Sequence, residues 1–366
     1  MNLKILPSLV NATRLVRSGK LMEATAAIQS ALRGGPAVSG EEPIPSEADA
    51  IEGFCRVIEE PRHRRGGGEF VTRSYSNAAG TRQYKTYIPS RHRDSVAAPL
   101  VVMLHGCKQG AEDFAAATRM NALAEEHGFI VAYPMQAPKA NVSKCWNWFQ
   151  TEHQQREIGE PSLIAGITRE VIAAHGVDAR RVYIAGLSAG GAMAAVMGTT
   201  YPELYAAVGV HSGLAYAAAE DLPSAFAAMR GQKSTRSSRK RRSAGSAHTV
   251  PTIVFHGDSD TTVHPSNVDA VIEQASPQAS AAKARDNPFP EHERTVERGE
   301  RDGRAYTRIA YCDPAGKSVM EQWLVHGAAH AWSGGSAEGS FSDPSGPEAS
   351  REMLRFFFQH KNACRE

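Results

Sequence analysis

The sequence predicts an α/β protein, with a mostly parallel, doubly wound sheet and helices on both faces. Two observations carry this. Short apolar runs recur along the chain, among them LVVMLHG, FIVAYP, VYIAGLS and PTIVFHGDSD, and they read as strands buried on both faces. Stretches with helical spacing separate them, as successive strand–helix–strand units require.

Taken in order, residues 1–65 read as an accessory segment. Leu21, Ala24, Ile28, Ala31 and Leu32 fall at helical spacing and predict one amphipathic helix, which Gly34, Gly35 and Pro36 stop. A proline-bearing linker and the basic run RHRRGGG follow. The main domain then occupies residues 66–366. YKTYIP alternates as an antiparallel strand does, and LVVMLHG and FIVAYP enclose a helical stretch over Phe114–Glu126. A helix over Leu163–Ala174 precedes the strand VYIAGLS, and a helix rich in alanine and methionine, Ala189–Thr200, follows it. AAVGVHSG, PTIVFHGDSD and QWLVHGAAHAW supply further strands, and a last helix over Pro347–His360 carries Met353, Leu354, Phe356 and Phe357.

Two polar insertions, near 230–249 and 276–303, interrupt this pattern. The first holds Arg239, Lys240, Arg241 and Arg242 and almost no large apolar residue, so a mobile surface loop is expected. Its charge suits contact with an anionic surface. Without interleaved aromatics to stack on bases, it does not read as a nucleic-acid site.

Composition narrows the class. At 366 residues, 42% of them hydrophobic, the chain can bury a large core, and a net charge of +2 excludes general affinity for nucleic acid. No stretch approaches the roughly 18 consecutive apolar residues that span a bilayer. The N-terminus lacks a sustained apolar run with a small-residue cleavage site, which predicts a cytoplasmic location. Cys55, Cys107, Cys145, Cys312 and Cys364 are too scattered for a disulfide framework and form no metal-ligand pair.

The chemistry lies in VYIAGLSAGGAM. A buried strand runs into Gly186-Leu187-Ser188-Ala189-Gly190, and a helix follows. G-x-S-x-G between strand and helix is a nucleophile elbow, in which a strained turn exposes a serine hydroxyl above a helix N-terminus. A serine needs a base, and the base needs an orienting acid, in the chain order serine, acid, histidine. Asp258 and Asp260 compete for the acid role, and His326 and His330 for the base. All four follow strands at the carboxyl edge of the sheet, where such sites assemble. The amides of Ala189 and Cys107 are candidates for an oxyanion hole, with Gly106 permitting close approach.

MLHGCKQGAEDFA, CWNWF, GLSAGGAMAA, HGDSDTTV and HAWSGG, in that order over about residues 75–360, resemble the polyhydroxybutyrate depolymerase type of esterase. That group is close to the feruloyl and acetylxylan esterases. The resemblance implies the α/β-hydrolase fold, selects Asp260 as the acid of HG-x-x-D and His330 as the base of HAWSGG, and makes a Cys107–Cys145 bridge plausible. Asp258 is then a loop-capping carboxylate and His326 a strand-end residue. Trp146, Trp148 and Trp332 lie in loops beside the expected site and are candidate substrate-binding residues, with Trp332 two residues from the base.

The expectation is therefore a serine ester hydrolase that works through an acyl-enzyme without metal or organic cofactor. The resemblance favours poly- or oligo(3-hydroxybutyrate) as substrate, with a feruloyl or acetylxylan ester as the alternative. It also allows secretion, as is common in that family, and contact with a polymer granule through Arg239–Arg242. A non-catalytic binding protein on a hydrolase scaffold is the rival from another class, but a pure binder has no need to keep serine, acid and histidine together.

Overall fold

Six strands lie parallel at the centre of the protein, seen in a computed structural model that describes residues 67–93, 96–232, 250–275, 289 and 292–362. In chain order the sheet's strands are β1 (Glu69–Asn77), β2 (Gly80–Ile88), β3 (Ala98–Leu104), β4 (Ile130–Pro134), β5 (Val177–Leu187), β6 (Ala207–His211), β7 (Thr252–Gly257), β8 (Glu293–Arg301), β9 (Arg304–Cys312) and β10 (Ser318–Val325). Their order across the sheet is β1-β2-β4-β3-β5-β6-β7-β10-β9-β8. Antiparallel hairpins, β1–β2 and β8–β9, close the two edges.

Alternation along the strands feeds a separate core on each face. Leu100, Val102 and Leu104 of β3 and Val182 and Ile184 of β5 point to one, and Val101, Met103, Tyr183 and Ala185 to the other. The first core is covered by helices α3 (Gly159–Ala174), α4 (Ala189–Thr200), α5 (Leu222–Met229) and α6 (Asn267–Ala275). The second lies under α1 (Ala111–Thr118), α2 (Met120–His127) and α7 (Ala349–Phe357). Full burial of one such Val, Leu, Ile or Phe contributes about 1.5–3 kcal/mol, so these two layers hold the sheet. No helix among the described residues is long and apolar enough to cross a membrane.

The structure departs from the sequence reading at several places. The helical stretch predicted over Phe114–Glu126 is two helices, broken at Arg119, which takes a left-handed conformation with φ 52°. The strand read as VYIAGLS begins earlier, at Val177. β1 was not anticipated. The second polar insertion is shorter than predicted, because residues 293–301 form edge strand β8, almost wholly solvent-exposed and paired with β9 along its length. The predicted N-terminal helix, the Arg239–Arg242 run and residues 276–288 lie outside the described residues.

Candidate active site

Ser188 sits between β5 and α4 with φ 58° and ψ −120°, a conformation that costs a non-glycine residue about 1–3 kcal/mol. Its neighbours show why the turn needs glycine. A Cβ on Gly186 would come within 2.4 Å of the Gly190 backbone, and one on Gly190 within 2.0 Å of the Leu104 carbonyl. The turn is pinned by the Ser188 N–H, which donates to the His211 carbonyl at 2.9 Å at the end of β6. Ser188 is half-buried above the N-terminus of α4, whose dipole favours negative charge at that end.

Asp260 follows β7 and its carboxylate is fully buried. Oδ1 accepts the amides of Thr262 and Val263 at 2.8 and 2.9 Å. Oδ2 accepts from His330 Nδ1 at 2.6 Å and lies 3.4 Å from Nε2 of His256. Burial pushes the Asp260 pKa up, but the bonds from His256, His330 and Val263 outweigh it and hold it well below the usual carboxylate range. Asp260 is therefore a fixed anion that orients the imidazole of His330. His330 Nε2 makes no hydrogen bond among the described residues, and no hydrogen bond joins it to Ser188 Oγ. Such contacts are often long until substrate binds.

The competing pair, Asp258 and His326, is also joined, at 2.8 Å, but both side chains are more than a third exposed. Here the second ring nitrogen is occupied as well, with His326 Nε2 2.9 Å from Thr307 Oγ1. Asp258 also accepts the Gly327 amide at 2.7 Å. This pair clasps the loops after β7 and β10.

The loop after β3 supplies the proposed oxyanion donors. Its Gly106 N–H donates to Gln109 Oε1 at 2.9 Å, and Gln109 Nε2 in turn donates to the Ser340 carbonyl at 2.8 Å and to Asp113 at 3.0 Å. Beneath it His105 is buried, with Nδ1 donating to the Gly106 carbonyl at 2.8 Å and Nε2 accepting the Gln136 amide at 3.1 Å. That arrangement requires neutral imidazole, and burial lowers the His105 pKa to about 4. A Cys107–Cys145 disulfide ties the loop to the CWNWF tract, as does the Lys108 N–H donating to the Ser143 carbonyl at 2.7 Å. The close approach of Gly190 to Leu104 and His105 brings the two proposed donors, the amides of Ala189 and Cys107, to one end of the sheet. Neither amide has a hydrogen-bond partner among the described residues.

The three tryptophans are corrected by burial. Trp332 and Trp146 are wholly buried and Trp148 is 5% exposed, so none forms the open side of a cleft. Trp332 donates its Nε1–H to Ser350 Oγ at 3.0 Å and meets Phe114 edge to face. A tight turn, with the Ala331 amide donating to the Ala329 carbonyl, separates it from His330. Trp146 packs against His105. The tract around it hangs on the buried carboxylate of Glu160, which accepts the Asn147 amide at 2.7 Å, Asn147 Nδ2 at 2.8 Å and a bond from Gln136.

One residue at the site was not singled out from the sequence. His211 is buried between Phe255 and Trp332, stacked on each, and its Nε2 accepts the Ser333 amide at 3.0 Å. Its carbonyl holds Ser188. His211 thus links the nucleophile turn to the loop carrying His330, and burial keeps it neutral by driving its pKa well down. The run VGVHSG contains it, but the Ser333 contact lies 122 residues away and leaves no local signal.

Comparison with known proteins finds esterases and depolymerases among the similar chains. The chain is 38% identical over 183 residues to poly(3-hydroxyalkanoate) depolymerase C of Paucimonas lemoignei, covering 48% of this chain and 44% of that protein. It is 34% identical over 169 residues to feruloyl esterase B of Neurospora crassa, covering 46% and 52%. The chain thus spans about half the length of the curated relatives it matches. Among solved structures, the acetyl xylan esterase from Aspergillus awamori matches with a TM-score of 0.60 at 20% identity, over 80% of this chain and all of that one, which shows the shared α/β-hydrolase fold. The model of one family, described as Esterase PHB depolymerase, matches residues 83–283, a span that contains Ser188 and Asp260. With more than half of its length matched, the chain belongs to the esterase PHB depolymerase family.

Proposed function

We propose that the protein is a serine carboxylic ester hydrolase. The observation that carries this reading is the His330–Asp260 pair, whose outer nitrogen Nε2 makes no hydrogen bond among the described residues, at the same sheet edge as Ser188 in its strained turn. In this reading Ser188 Oγ attacks the ester carbonyl while His330 Nε2 takes its proton. The tetrahedral oxyanion is held by the amides of Cys107 and Ala189, each such donor lowering the barrier by about 3 kcal/mol. Collapse expels the alkoxide, protonated by His330, and leaves an acyl-enzyme on Ser188. Water, deprotonated by His330, then attacks the acyl carbon and releases the acid.

As substrate we propose poly- or oligo(3-hydroxybutyrate) or related short hydroxyacyl esters, supported by the depolymerase relative with 38% identity. A feruloyl or acetylxylan ester is the second reading, supported by the feruloyl esterase relative. The Cys107–Cys145 bond favours an oxidising compartment over the cytoplasm expected from the N-terminus. Contact of Arg239–Arg242 with a granule or other anionic surface rests on their charge.

The test combines a fluorophosphonate with hydrolysis of 3-hydroxybutyrate oligomers, methyl ferulate and acetylated xylan. The expected outcome is covalent labelling at Ser188, turnover of the oligomers ahead of the other two, and loss of labelling and turnover together in Ser188→Ala. Wild-type turnover by a folded Ser188→Ala protein would overturn the assignment.

A further inference from the structure

A partly exposed aromatic, none of the tryptophans, lies in a segment tied to two loops of the candidate site. Phe341 is 44% exposed and has φ 52°, in the left-handed region where a bulky side chain is a rare outlier. Both of its flanks are tied to the proposed machinery. Its own carbonyl accepts the Trp332 amide at 2.8 Å, two residues past His330, within the short parallel pairing of Trp332–Ser333 with Ser342–Asp343. The preceding Ser340 accepts Gln109 Nε2 at its carbonyl and donates its amide to Asp113 at 2.8 Å, and Gln109 holds Gly106 of the oxyanion loop. The segment therefore bridges the loop of the proposed oxyanion donors and the loop of the proposed base, with Phe341 at the crossing.

The left-handed conformation makes phenylalanine a costly choice at this position. Glycine or asparagine would adopt the same φ with less strain, and a ring left partly in water returns only part of its burial energy. Strained residues held in place by their surroundings concentrate where a ligand is gripped. We propose that Phe341 is a substrate-binding residue whose ring receives the methyl and methylene groups of a hydroxyacyl unit next to the scissile ester. The inference rests on the esterase reading and adds the subsite that would distinguish an oligomeric hydroxyacyl chain from a simple acetate.

The experiment compares kcat/KM on a 3-hydroxybutyrate trimer and on p-nitrophenyl acetate for the wild type, Phe341→Ala, Phe341→Gly and Phe341→Leu, with Tm for each. In Phe341→Ala and Phe341→Gly the ratio of trimer to acetate should fall about tenfold, mostly through KM, the effect of losing one or two methylene-sized contacts. Phe341→Leu should recover most of that ratio, and Phe341→Gly should raise Tm by relieving the left-handed strain. An unchanged ratio, or equal loss on both substrates, overturns the subsite while leaving the esterase reading in place. A wild type that hydrolyses only the acetate also overturns the subsite. If the wild type hydrolyses neither and Ser188 is not labelled, the esterase reading fails and the subsite fails with it.

Discussion

His330 and His326 stand four residues apart and each binds an aspartate through Nδ1, yet they are not chemically equivalent. A base must have its second ring nitrogen available, and Thr307 already occupies that of His326. The acids differ as well, since Asp260 is buried and fixed by two amides while Asp258 is partly exposed. His330→Ala and Asp260→Asn should therefore lower kcat/KM by about a thousandfold or more, because the members of the proposed triad would act as a unit. His326→Ala and Asp258→Asn should cost less than about tenfold, as expected of a partly exposed ion pair. Steady-state kinetics on one soluble ester, with circular dichroism to check folding, decides this. If His326→Ala were the worse variant, the base would be misassigned. At this scale the elbow was legible in the sequence, because its glycines and serine fall in one five-residue pattern, although the atom that forces Gly190 is the Leu104 carbonyl of β3. The choice between the two pairs was open from the residues alone and was narrowed only by the resemblance. The burial of Trp332 was not legible, because Phe114, which its ring meets, lies far away in the chain.

The strands that position these residues were readable wherever burial on both faces makes them uniformly apolar. APLVVML of β3 and TIVFHG of β7 are buried at every position. The edge strands were not, since ERTVERGER of β8 has no core face to write a pattern and is held by its ladder to β9. The break at Arg119 was hidden for a related reason, because neither glycine nor proline marks it. One connection between elements bears directly on the proposed oxyanion loop. The Cys107–Cys145 bond, spanning 38 residues, fixes the loop after β3 against the tract anchored by Glu160. Cys145→Ala should lower stability by about 2–4 kcal/mol, the usual effect of removing a native crosslink. It should also lower kcat more than it raises KM, because the Cys107 amide is proposed to act on the transition state. Denaturant unfolding and steady-state kinetics measure the two effects. Unchanged kcat in a destabilised variant would show that the crosslink serves stability alone.

Across the whole molecule, His105, His211 and His360 are expected to weaken the fold in acid. His105 and His360 are almost fully buried, and burial lowers both from the ordinary 6.5 to about 4. His211 is shifted in the same direction. The neutral ring is favoured in the folded chain, so between these two values the unfolded chain binds protons that the folded chain refuses. Stability is therefore fully present above pH 6.5 and is lost as pH falls toward 4. Each such histidine removes about 1.4 kcal/mol per pH unit inside that window. The depressed carboxylates, Asp260 and Glu321 among them, begin to add their losses below about pH 5, where the unfolded chain starts to protonate its acids. Thermal melts between about pH 8 and pH 4.5 should show Tm nearly level at first and then falling steeply below about 6.5, by more than about 10 °C. His360→Gln keeps a neutral polar group and removes one titrating ring, so its stability should decline with pH less steeply, by about one proton. A wild-type Tm that stays level to pH 4.5, or a variant with the wild-type slope, would show that these rings are not the groups that destabilise the fold in acid.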